Sequence, residues 1–337
     1  MNSARKLLLA STLLSASAVS ASAEITVVAS IKPVHSLVAA VMQGAGDPGL
    51  IVEGAGSPHN YALKPSQAQM LESADIIFWV GHELEAFLEK PLETVGAQAK
   101  SVELIDAPDL LKLGFREGGA FEKHDHGDEA GHDDHAHDNE NTVEADQDHA
   151  QNAEAEGHED HAHGEFDFHV WLDPVNAKAM VHEIEEALAA ADPANAGKYE
   201  ANAEAVTAKL DALIAEVQTE LDPVKQKGFI VFHDAYHYFE NRFGVTASGS
   251  ITVSPEVMPG AQRITEIRAR VKELGAACVF AEPQFEPKLV STVTEGTRAR
   301  AGVIDPLGAE LENGPDLYFQ LIRNMATSMS TCLSQAS

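Results

Sequence analysis

The chain has 337 residues, with 53 acidic side chains against 23 Lys and Arg, a formal charge of −30 and two cysteines. Half of that charge is local, because residues 122–165 hold 16 acids and one Lys; the remainder is only moderately acidic. With no basic patch to balance phosphates, nucleic acid is not an expected partner, and after the amino terminus no stretch reaches the roughly 20 apolar residues of a membrane helix.

Arg5 and Lys6 precede an apolar run over residues 7–14, and Ala21-Ser22-Ala23 follows. That is the pattern of a secretory signal cleaved after Ala23, so residues 1–23 are expected to be removed and the rest exported as a soluble protein. What remains is long enough for two ordinary domains or one large one.

Short β-branched runs then alternate with helical patterns. "ITVVAS" from Ile25, "LIVEG" from Leu50, "IIFWVG" from Ile76 and "VELID" from Val102 predict strands, and "HSLVAAVMQ" and "PSQAQMLESA" predict helices between them. Such alternation predicts a parallel sheet covered by helices, the frame of an amino-terminal α/β lobe over residues 24–190. Inside it, residues 116–166 form an insertion whose composition cannot bury enough apolar surface to offset the entropy of ordering. Its core reads "HDHGDEAGHDDHAHD", with five His and six acids in fifteen residues. His124, His126, His132, His135, His137, His149, His158, His161 and His163 make it a candidate for weak, accessory metal binding. Imidazole must be neutral to ligate, so such metal should leave as pH falls through about 6.5.

"FHVWLDP" from Phe168 resumes structure with a predicted strand, and Asp173-Pro174 reads as a helix start. Near Pro193 a longer helix is predicted: Tyr199, Ala203, Val206, Leu210, Leu213, Val217 and Leu221 recur at spacings of three and four. About 30 residues would span roughly 45 Å, enough for residues 191–224 to join two lobes. A second alternation over residues 225–337 predicts the other lobe. Its strands are "FIVFHD", "VTASGSIT", "CVFAEPQ" and "GVIDPLG", with helices over residues 261–274, 289–300 and 316–332. Two similar α/β lobes joined by one rigid helix leave a cleft where ligands bind at strand carboxyl ends.

Seven histidines lie outside the insertion. His59 follows the second strand in "GAGSPHNYALKPS", His169 opens "HVWLD", and His233 closes "FIVFHD"; Asp305 holds a similar place in "GVIDPLG". Three imidazoles and a carboxylate converging there would suit Zn²⁺. His35, His82 and His182 fall in helical or helix-start patterns and read as surface or packing residues. His237 stands four residues after His233, but a strand ending at His233 breaks any helical pairing. The H-E-x-x-H signature is absent, since Asp234 follows His233. Cys278 and Cys332 are 54 residues apart without a C-x-x-C. In an oxidising compartment a disulfide is favoured over free thiols or zinc ligation.

"ASIKPVHSLVAAV", "GAGSPHNYALKPSQAQMLESADIIFWVGHELEAFL", "FHVWLDP", "GFIVFHDAYHYFENRFG" and the pair "AEPQF" and "DPLG" resemble the ZnuA family, the zinc-binding components of bacterial zinc ABC importers. The resemblance covers essentially all of the chain after the signal. It implies metal held between two lobes by His59, His169 and His233, and His233 favours zinc, because manganese and iron relatives tend to carry a carboxylate at that position. Enteric members have Glu directly before the first ligand, where this chain has Pro58. Asp305 matches an aspartate that completes the site in several relatives, with water as the alternative. The family disulfide maps onto Cys278 and Cys332, and a His- and acid-rich loop is typical of zinc-specific members. The resemblance implies a periplasmic, monomeric zinc carrier that delivers Zn²⁺ to an ABC permease membrane subunit, with no catalysis. The competing readings are a zinc hydrolase with Glu240 or Glu282 as base, a zinc buffer without a transporter, and manganese as the metal.

Overall fold

The computed structural model describes residues 25–116, 121, 166–252, 255, 259–273, 275–285 and 288–335. The cleavage at Ala23 and the nine insertion histidines lie outside those residues.

The first lobe runs β1 (Val27–Ala29), α1 (Lys32–Val41), β2 (Gly49–Leu50), α2 (Pro65–Glu72), β3 (Ile76–Trp79), α3 (Ala86–Thr94) and β4 (Lys100–Glu103). Its strands are parallel in the order β2-β1-β3-β4. β1 and β3 are buried at every residue, as expected of central parallel strands covered on both faces, and this is why they read as continuous apolar runs. The second strand is shorter than "LIVEG" predicts. Beyond Leu50 the chain still follows its neighbour, since Ile51 N–H donates to the Ala29 carbonyl (3.0 Å) and Val52 N–H to that of Ser30 (2.8 Å). "VELID" likewise leaves the sheet at Glu103 and tightens into a 3-10 turn over Leu104–Asp106.

Between the two sheets lie α4 (Pro174–Ala191) and the long α5 (Ala196–Leu221). The start of α4 is set locally: the Asp173 carboxylate accepts from the Val175 N–H, and Pro174 occupies the first turn, where a missing N–H costs nothing. The predicted strand "HVWLD" is instead a single 3-10 turn, Val170–Leu172, whose three residues are buried; a short apolar run ending in a helix cap has no length left for a ladder. α5 has 26 residues, about 39 Å. It starts later than predicted because residues 192–195 form a turn in which the Asp192 carboxylate accepts from Asn195 Nδ2 (2.6 Å) and the Tyr199 hydroxyl (2.9 Å). Of the seven stripe residues, all but the partly buried Ala203 are buried.

The second lobe repeats the winding. β5 (Phe229–His233), α6 (His237–Phe243), β6 (Ala247–Thr252), α7 (Ala261–Glu273), β7 (Cys278–Ala281), α8 (Lys288–Thr294), β8 (Arg300–Val303) and α9 (Leu317–Ser334) follow in order. The strands are parallel in the order β6-β5-β7-β8. α6 was not legible as a separate element; Gly244, at φ +69°, ends it in the left-handed conformation, its N–H donating to the Glu240 carbonyl. α3 was also unanticipated, and it buries Leu88 and Leu92.

Strand alternation divides the core. Phe229 and Val231 of β5 and Cys278 and Phe280 of β7 join one large core that runs through α4, α5 and α9 into the first lobe. Ile230, Phe232, Val279 and Ala281 face a smaller outer core under α7 and α8. A core continuous between lobes makes the joint stiff, because packed interiors resist continuous deformation. Cys278 and Cys332 form the expected disulfide, tying β7 to α9. A Cβ on Gly302 of the neighbouring β8 would come within 2.6 Å of the Phe280 ring, so only glycine fits there.

Candidate metal centre

Both sheets deliver their strand ends to the gap between the lobes. His59 lies in a one-turn 3-10 helix, Pro58–Asn60, that follows β2. His169 immediately precedes the Val170–Leu172 turn, and His233 is the last residue of β5. The three come from positions 59, 169 and 233, yet their ligand atoms all lie within 4.8 Å of one another. His169 Nε2 is 3.3 Å from His59 Nε2 and 3.4 Å from His233 Nε2. Nitrogens bound tetrahedrally to one zinc at about 2.0 to 2.1 Å would stand roughly 3.3 Å apart, so the spacing is that of atoms sharing one ion.

Two carboxylates determine which nitrogens face inward. Asp167 Oδ1 lies 2.7 Å from His169 Nδ1 and also accepts from the His169 N–H. Glu282 Oε1 lies 2.7 Å from His233 Nδ1. An anionic acceptor keeps the proton on Nδ1 and leaves Nε2 with a bare lone pair. Lone pairs aimed at one another at this range repel, and a cation between them removes the conflict. Burial, and then the neighbouring His169 and His233, hold the His59 imidazole well below its usual pKa, in the neutral ligating form. For His233 burial also disfavours the charged form, but the Glu282 carboxylate, with Asp234 and Asp167, outweighs it and raises the pKa.

The cavity between these groups has a volume of only about 10 Å³ and is bounded further by Trp171, Gln284, Phe285 and Leu307. That is room for one ion or water, not for an organic substrate. Trp171 closes it from across the gap, its indole N–H donating to the Pro306 carbonyl at 2.9 Å.

Asp305 is not brought into the cluster. Its Oδ1 accepts from Gln284 Nε2 (2.8 Å) and from the N–H groups of Leu307 and Gly308 (3.0 Å each), and its Oδ2 accepts from the Ala309 N–H (2.6 Å). Held by four donors, three of them on Oδ1, this carboxylate organises the turn after β8. The other histidines also stand apart. His35 is buried in α1 with Nε2 against the Pro48 carbonyl (3.0 Å); His82 pairs with Glu83 (3.0 Å) in a turn rather than a helix; His182 is exposed beside Glu185 and Glu186; His237 begins α6. Among the described residues, His59, His169 and His233 are the one group able to hold a metal. Asp167 was missed from the sequence, and Glu282 was considered only as a base. The Asp-x-His spacing in "DFH" was a visible hint; for Glu282, 49 residues from His233, there was none.

Two parallel-sheet lobes on a shared helical spine, with three imidazoles closed on an ion-sized cavity between them, define a metal-binding protein of the two-lobed solute-binding class. The family model for ZnuA, the periplasmic component A of the zinc-uptake complex, matches residues 27–332, and the chain belongs to that family. It is 59% identical over 309 residues to the high-affinity zinc uptake system protein ZnuA of Brucella suis, covering 92% of each chain. It is 38% identical over 311 residues to the Yersinia pestis protein of the same name, again covering 92% of each. In fold it is similar to the periplasmic zinc binding protein TroA from Treponema pallidum, with a TM-score of 0.71 at 19% identity, covering 92% of this chain and 99% of that one.

Proposed function

We infer that this protein is the periplasmic zinc-capturing component of a high-affinity zinc uptake system. It binds Zn²⁺ between its lobes and delivers it to a membrane permease, and it carries out no catalytic step. The observation that carries this reading is the set of three Nε2 atoms at the spacing of a shared tetrahedral ion, with Nδ1 of His169 and His233 fixed by carboxylates. All-imidazole ligation favours zinc over manganese, which prefers oxygen donors. The cavity's size argues against a hydrolase, which needs an open position and space for substrate. Zinc titration of the purified protein and of His59→Ala, His169→Ala and His233→Ala tests the site: each substitution should abolish the tight one-zinc phase. Retention of that phase in all three would refute it.

Several finer points belong to the same proposal. The fourth ligand is a water, since Asp305 is engaged elsewhere. The mature chain begins at Glu24 and works as a monomer, which intact mass and sedimentation of the exported protein would check. The nine insertion histidines hold further zinc weakly. Zinc-limited growth of a deletion strain, restored by this protein only when a permease is also present, separates transport from buffering. The continuous core and the long α5 support release through a small shift of loops or lobes rather than wide hinge opening.

A further inference from the structure

The two chain segments that flank the insertion cross from the first lobe to the second. They are joined to each other, the Asp167 N–H donating to the Leu113 carbonyl at 2.8 Å, with Gly114 and Phe166 in an antiparallel bridge. Both attach to α6 through one side chain: the Tyr238 hydroxyl accepts from the Leu113 N–H (3.0 Å) and donates to the Asp167 carbonyl (2.6 Å). Arg116 then engages two carboxylates of the second lobe. Its Nη1 and Nη2 donate to Glu240 at 2.7 and 3.1 Å, its Nε donates to Asp234 Oδ2 at 3.2 Å, and its Nη2 also donates to Asp234 Oδ1. Those carboxylates are almost fully buried, with side-chain exposures of 6% and 3%. The Phe121 ring stands 4.2 Å from the guanidinium carbon.

The position of this clamp matters. Asp234 directly follows the ligand His233, and the segment Arg116 extends from is bonded to Asp167, which orients the ligand His169. One guanidinium thus fastens the loop behind one imidazole to the chain behind another. We propose that Arg116 is a positioning residue of the metal site, locking the His233 loop of the second lobe against the Asp167–His169 segment of the first and thereby slowing zinc release. This rests on the zinc-binding reading above. Without the guanidinium, Asp234 and Glu240 are two buried like charges with no counter-ion; they separate or draw in water, and the loop carrying His233 loosens. Lys keeps a charge but not the planar fork that spans both carboxylates.

The test is stopped-flow release of Zn²⁺ from the full chain into excess chelator, with melting curves of the apo protein alongside. Arg116→Ala should release zinc at least ten-fold faster, and Arg116→Lys should fall between it and the parent. Adding Glu240→Gln to Arg116→Ala should slow release again, since it removes one uncompensated charge. Val271→Ala, in the outer core under α7, serves as a destabilised control that should melt earlier without faster release. Unchanged release in folded Arg116→Ala, or equal acceleration in Val271→Ala at a matched loss of melting temperature, would overturn the clamp. Failure of the zinc-site reading has a different signature: tight zinc retained when His233 is replaced.

Discussion

Glu282→Gln separates the role assigned to Glu282 from the one expected of Asp305. Glu282 is buried, and its Oε1 holds His233 Nδ1 at 2.7 Å. The amide oxygen of Gln can still accept from Nδ1–H, so the tautomer survives, but the anionic charge that strengthens the imidazole as a donor is lost. Replacing such supporting carboxylates costs about 10- to 100-fold in metal affinity, or about 1.4 to 2.8 kcal/mol. Because the acceptor is kept here, the low end, about ten-fold, is expected for Gln; Ala leaves a buried donor unpaired and belongs near a hundred-fold. Competition with a chromogenic chelator at neutral pH measures the difference. Asp305→Asn is the companion. It replaces an acceptor of three backbone N–H groups and the Gln284 amide, so it should lower stability by about 2 kcal/mol with less than three-fold effect on zinc. Unchanged affinity in Glu282→Gln together with loss of tight zinc in Asp305→Asn would refute the reasoning and restore Asp305 as a ligand.

Glu85 predicts a pH dependence of stability. Full burial raises its pKa from the ordinary 4.5 to about 7, against the lowering effect of the Gly81 and Val80 N–H groups it accepts from. A carboxyl raised in the folded state costs nothing below about 4.5 and destabilises increasingly as pH climbs to about 7, by about 3 kcal/mol in all. Glu85→Gln should therefore match the parent near pH 4.5 and exceed it in urea unfolding at pH 8; a pH-independent difference would contradict this. Reduction of the Cys278–Cys332 disulfide, or the double serine variant, should cost about 4 kcal/mol in unfolding without removing the cleft zinc, as calorimetry would show. Deleting residues 122–165 should abolish weak zinc binding in titration and keep the single tight site, because His59, His169 and His233 all lie outside the deleted span.

Much of the fold was legible because its causes are local or periodic. The buried parallel strands β1, β3, β5 and β7 show as apolar runs, α5 as a stripe at spacings of three and four, and α4 by the Asp173-Pro174 start. "HVWLD" misled because three apolar residues before a cap satisfy a strand and a 3-10 turn equally. α3 and α6 escaped notice because each is short and its buried face is completed by other elements.

At the site, residue type and place in the chain were enough to nominate His59, His169 and His233, since imidazoles at loop and strand ends are free of helical constraint and can converge. The same logic nominated Asp305, which the structure leaves outside the imidazole cluster: its carboxylate is held by donors from its own turn and from Gln284. Glu282 and Arg116 lie at the opposite extreme. Their partners are 49 residues away at His233 and 118 and 124 residues away at Asp234 and Glu240. The sequence by itself determined the alternation of strands and helices and the long joining helix, which are set by neighbours within a few residues, and it nominated the three imidazoles by their places at loop and strand ends. Tertiary structure alone decided which carboxylates orient those imidazoles and which cation ties the lobes behind them, because directed bonds of about 3 Å between distant segments leave no periodic trace in the chain.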